Sequence, residues 1–231
     1  MLLPSAGARA DAREEGPREI EKCQTISKPG SYRLVNDLTF TLTTGTCLAI
    51  AASSVTIDLA GFTISGPGFS VSGPTAIAAQ PSSGNLQGIV VRNGSISGFT
   101  DGVALGAADG SVVEGLRVFG VGCPCSTGIV AKGIVRGNTV VGIAGLPITG
   151  GVGISATGIV TGNYVTASRR AGIEIGPGST VIGNTASDNI EQGISVTCPS
   201  NVTDNTAVNT SSGANLVLIG EGCNNTNNVA P

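Results

Sequence analysis

Histidine and tryptophan are absent from the 231 residues, and two Tyr and five Phe supply all the aromatic surface. Without His there is no Ser-His-Asp or Cys-His relay and no His-bearing zinc site, although Ser-Lys and carboxylate chemistry remain. Charge is scarce too. Lys and Arg number 12 and Asp and Glu 15, and nine of these lie between Arg9 and Lys22. A net charge of −3 leaves no basic groove, so nucleic acid is not an expected partner. No stretch of about 18 consecutive apolar residues occurs, so no membrane span is expected. What is abundant is Gly (36 residues), with 11 Pro, 40% apolar residues and a mean hydropathy of +0.30. Such a chain can bury a large core, which excludes wholesale disorder.

Six Cys stand at 23, 47, 123, 125, 198 and 223. An even count suits disulfides and hence an oxidising compartment, secreted, periplasmic or extracellular. Six Cys allow 15 pairings, among which spacing suggests Cys23–Cys47, Cys198–Cys223 and a local Cys123–Cys125 link. A metal knuckle is disfavoured, because Cys123-Pro124-Cys125 lacks the two-residue spacer and no His can complete a site. The segment Ala8-Arg9-Ala10 has the small-x-small pattern of a signal-peptidase site, after an apolar run too short for a full signal. Residues 1–22 are therefore read as a signal-peptide remnant, or a disordered leader, followed by a charged linker or short helix. The main domain is expected at 23–223, with a C-terminal tail over 224–231.

The body of the chain repeats. Gly102-Val103, Gly128-Ile129, Gly153-Ile154, Gly172-Ile173 and Gly193-Ile194 recur at spacings of 26, 25, 19 and 21. Asn138, Asn163, Asn184 and Asn205 follow one another 25, 21 and 21 residues apart, each preceded by a Val at the third position back. Apolar marks at fixed offsets mean one rung per repeat, each rung burying the next. The Leu frame of leucine-rich repeats is missing. Short β-branched runs with Gly and Asn at corners predict an all-β fold, one parallel β-helix of seven or eight coils of about 21–25 residues. Stacked Asn amides have a structural reason, since they hydrogen-bond coil to coil and Asn tolerates left-handed corners.

The units Gly-Ile-x-(Val/Ala) and Val-x-Gly-Asn-Thr-(Val/Ala), with Ser54 to Gly66 as an opening coil, resemble the right-handed parallel β-helix superfamily of pectin-lyase-like fold and its secreted bacterial members. The resemblance covers nearly all of 23–223. It implies the right-handed solenoid and leaves activity open, because that superfamily includes lyases, hydrolases, epimerases and adhesins. Its polygalacturonase pattern and its Lys-Arg-His alginate-lyase pattern both need His and are absent.

Stacking the repeats turns the sequence into columns. Arg92, Glu114 and Arg136, each 22 residues apart, are expected as an alternating ladder on one outer face. Arg170 and Glu191 are expected to meet across adjacent coils. The plain reading of both is ion pairing that sets register. The sharper reading places an acidic-sugar site at Arg169 and Arg170 with Glu191, these being the candidate catalytic residues. Asp188 and Glu191 are then candidate calcium ligands, calcium being implied only if the protein is a lyase. Arg92, Glu114, Arg136 and Tyr164 are candidate ligand-binding residues. Two functions follow: a non-catalytic secreted module that binds a polysaccharide or surface partner, or a small polysaccharide lyase or epimerase acting on uronates. Short connections leave little room for cleft walls, which favours the first.

Overall fold

A computed structural model describes residues 16–68, 73–80, 84–121, 126–143 and 151–231. Strands there are short and every pairing between them is parallel, and 23 of them form one continuous sheet. The sheet winds on itself as a right-handed solenoid of about eight turns, the hand that parallel β-crossovers adopt. Each coil contributes three strands, so the rod has three faces.

Face A stacks Gln24–Ile26, Thr46–Ile50, Thr75–Ala79, Asp101–Leu105, the first halves of Thr127–Arg136 and Val152–Thr161, then Ala171–Ile175, Gln192–Thr197 and Leu216–Ile219. Face B begins with Arg18–Ile20, Gly30–Leu34 and Val55–Asp58. It continues through the front of Val90–Ser97 and Ser111–Phe119 and the later halves of the two long strands, ending at Asn224–Thr226. Face C runs from Leu38–Thr39 to Thr206–Val208.

The interior is built from columns. Val103, Ile129, Ile154, Ile173 and Ile194 pair in register and are fully buried, so the Gly-Ile repeat is the inner column of face A. Val113, Val135, Val160, Val181 and Val202 form the matching column of face B. The Gly of each Gly-Ile pair is dictated by the neighbouring coil. A Cβ on Gly128 would stand 2.5 Å from the Gly153 carbonyl oxygen, and one on Gly153 would stand 2.5 Å from that of Gly172. No real Cβ tolerates such an approach.

Between faces B and C the chain turns in two residues, and here the Asn column lies inside. Asn138, Asn163, Asn184 and Asn205 are at most 2% exposed. Each carboxamide oxygen accepts from the residue one coil earlier: Asn163 Oδ1 takes the Asn138 backbone N–H at 3.0 Å, Asn184 Oδ1 that of Asn163, and Asn205 Oδ1 that of Asn184. The left-handed residue is not the Asn but the one before it, with φ of 60° at Gly137, 61° at Gly162, 64° at Gly183 and 56° at Asp204. Gly removes the steric penalty of that geometry and frees the Asn to turn inward.

The solenoid overruns both expected boundaries. Arg18–Ile20 pairs with Tyr32–Leu34, which replaces the linker or helix expected there. At the other end Asn224–Thr226 pairs with Asn201–Thr203, and Asn228 extends the Asn ladder to Asn205. Disulfides join Cys23 to Cys47 and Cys198 to Cys223, with Cα atoms 4.5 and 5.0 Å apart, each stapling adjacent coils near one end of the rod. Cys123 and Cys125 lie outside the described residues.

Candidate functional site

The outward positions of face A are the x of each Gly-Ile-x unit. Val130, Ser155, Glu174 and Ser195 therefore form one external column. Beside it Lys132 pairs in register with Thr157, and Thr197 with Ile219. Together these residues line an open groove of 440 Å³ along the rod. Small residues make the room: Ala131 and Ala156 lie in its bed, and Gly176 stands where a Cβ would come within 2.4 Å of Thr157 Oγ1. Strand spacing of about 4.8 Å places successive hydroxyls and charges at one rung intervals.

Glu174 is the groove's one carboxylate among the described residues, and the Arg170 guanidinium pairs with it. Lys132 is exposed and has no ion-pair partner among the described residues. The groove therefore presents hydroxyls, one unpaired ammonium and one internally neutralised carboxylate. That is a surface suited to hydrogen-bonding a polyhydroxyl chain.

Several expected groupings are rearranged. Arg170 does neighbour Glu191 across one coil, but through the backbone: the Glu191 N–H donates to the Arg170 carbonyl at 3.0 Å, while the Arg170 side chain turns to Glu174. An acid four residues along the same coil lies on the guanidinium's path over face A and captures it. Arg169 is exposed at the adjoining corner. Asp188 accepts from Asn209 Nδ2 at 3.2 Å. Among the described residues no three acidic or Cys side chains converge, so Asp188 and Glu191 do not supply the six or more oxygens that calcium takes.

Arg92, Glu114 and Arg136 lie on face B and Tyr164 on the adjoining face C. The ladder has the expected register and the expected Glu114–Arg136 pair, and only Arg92 takes a different partner. Arg92 pairs with Asp58 at 3.2 Å, and Glu114 pairs with Arg136 at 2.5 Å. Asp58 competes successfully because it lies in register with Arg92 on the opposite side from Glu114. The alternation continues upward through Arg33 and Glu19.

One half-buried carboxyl escaped the sequence reading. Asp101, at the edge of face A, accepts the Thr127 N–H at 2.8 Å, and burial raises its pKa above the ordinary Asp value despite that bond. The groove could have been found by reading the x positions of the Gly-Ile units together. Asp101 has no such mark.

No family model matches the sequence, and a search of the curated proteins finds no match either. Solved structures do resemble the fold. XylC in complex with xylose superposes with a TM-score of 0.50 at 12% identity, over 73% of this chain and 35% of that one. The enzymatically active domain of tailspike protein 2 from bacteriophage CBA120 gives a TM-score of 0.57 at 17% identity, over 89% of this chain and 42% of that one. The chain thus spans less than half the length of either. It has the right-handed parallel β-helix fold.

Proposed function

We propose that this protein is a secreted β-helix module that holds a polysaccharide along the face A groove without turning it over. The observation that carries the reading is the groove itself: Ser155 and Ser195 stand one rung either side of Glu174, with Thr157 and Thr197 beside them and an unpaired Lys132. Hydroxyl and ammonium donors on a rigid sheet hydrogen-bond sugar hydroxyls and carboxylates with little ordering cost. The two disulfides support an oxidising, extracellular setting. The XylC complex with xylose, similar in fold, supports a sugar-related role.

A second reading, a lyase or epimerase acting on uronates, is favoured by Lys132 alone, an amine free to meet a sugar carboxylate or its neighbouring C–H. Against it, the groove's one carboxylate among the described residues is already paired with Arg170, so Lys132 has no free carboxylate there to serve as its partner acid or base. The test is a panel of acidic and neutral glycans read for binding by calorimetry and for unsaturated products by ultraviolet absorbance. Binding without product, weakened at least tenfold by Lys132→Ala and little changed by Arg169→Ala, is the expected result. Unsaturated product that vanishes in Lys132→Ala makes the protein an enzyme instead. Absence of binding to every glycan refutes both.

A further inference from the structure

Ten strands stack on face B, from Arg18–Ile20 to Asn224–Thr226. Its outward side carries two columns. In one, the four middle rungs hold Val90, Val112, Ile134 and Ile159, between Thr56 above and Thr180 below. All four are partly or fully exposed, Ile159 at 46%, so a contiguous apolar strip faces solvent. The strip sits at the midpoint of the ten rungs, with polar residues toward both ends. That is the distribution of an interface, apolar at the centre and polar at the rim.

The second column lies two residues along each strand: Asp58, Arg92, Glu114, Arg136 and Thr161. We infer that face B is the contact of an antiparallel two-fold dimer of this chain. The symmetry axis lies in the interface, parallel to the strands, between the rungs of Glu114 and Arg136. Such an axis leaves each column opposite its own copy and reverses the order of rungs. Val112 meets Ile134 of the second copy and Val90 meets Ile159, while Glu114 meets Arg136 in both directions. No like charges face one another: Arg92 falls opposite Thr161 and Asp58 opposite Ile182. The two internal Glu114–Arg136 pairs join as a four-charge square.

Face B is roughly 45 Å tall and about 12 Å wide from strand spacing and rise, so it offers on the order of 500 Å² per copy. Two such faces bury about 1,000 Å², the low end for a specific contact. The dimer is therefore reversible and concentration-dependent.

Sedimentation equilibrium over a roughly hundredfold concentration range tests this, with charge swaps as the probe. The wild type should show a monomer–dimer equilibrium. Glu114→Arg sets Arg against Arg, and Arg136→Glu sets Glu against Glu, so each variant alone should dimerise at least tenfold more weakly. Mixed in equal amounts, the two present opposite charges at both positions, and dimer should return. Unchanged circular dichroism shows that both variants fold, and the rescue itself needs folded partners. Val141→Lys, on face C, should leave the dimer as in the wild type. Mild oxidation of a Val90→Cys and Ile159→Cys mixture should cross-link the two variants to each other. A monomeric wild type, single variants that dimerise normally, a mixture without rescue, loss of dimer in Val141→Lys, or cross-linking of Val90→Cys only to itself would each overturn the proposal.

Discussion

Asn184→Ala is the most informative perturbation of the fold, because its expected size can be worked from the hydrogen bonds it removes. The Asn184 carboxamide makes five: its oxygen accepts from the Asn163 N–H and Nδ2, and its Nδ2 donates to Val160 O, Ile182 O and Asn205 Oδ1. The losses are unequal. Asn163 Nδ2 keeps Val135 O and Thr161 O, and Asn205 Oδ1 keeps the Asn184 N–H. The Asn163 N–H, by contrast, lies at a 2% exposed residue and is left without an acceptor. Stranding one buried donor costs about 1–3 kcal/mol, and each further net loss about 1 kcal/mol. The expected destabilisation is roughly 3–4 kcal/mol, read by urea denaturation with fluorescence or circular dichroism. Asn228→Ala, at the open end of the same ladder where the bonds are only partly buried, should cost about 1 kcal/mol. Leu116 holds the column one coil above Asn138, so an apolar side chain fits the space there; Asn184→Leu should still lose the bonds and gain only packing. A change below about 0.5 kcal/mol in Asn184→Ala would refute the argument that this ladder is energetically significant.

Ile154→Ala should cost about 2–5 kcal/mol, since the side chain is fully buried between Ile129 and Ile173; a thermal or urea midpoint close to wild type places it outside the core. Reducing the two disulfides, which close loops of 24 and 25 residues, should remove about 3–4 kcal/mol each on the chain-entropy account, seen as a lowered melting temperature in reductant. Asp101 has a folded pKa raised by burial, so the folded state holds its proton more tightly than the unfolded one. Its contribution to stability is thus lost as pH rises from the ordinary Asp value through the folded pKa. Asp101→Asn keeps the acceptor for Thr127 and should flatten that part of the pH–stability curve; an unchanged slope would place the burial penalty elsewhere.

The inner architecture was legible because burial is an unforgiving constraint that repeats with every coil. The Gly-Ile pairs and the Val before each Asn recur because inward positions must be apolar and one position must leave space for the next coil's backbone. The Asn column was legible as a column, but its inward turn was not, since only the fold reveals that the preceding Gly takes the left-handed geometry. Outward positions carry no such constraint. Val130, Ser155, Glu174 and Ser195 follow no common residue pattern, so the x positions mark a groove only when the strands are stacked. The upper half of the charged ladder was hidden for another reason. Asp58 and Arg92 are 34 residues apart, because their coil carries an insertion that breaks the spacing of 22 seen below it. Which partner each charge takes was decided last, by geometry. Arg92 has an acid on either side and Arg170 has Glu174 on its own coil, and the three-dimensional path of each guanidinium chose between them.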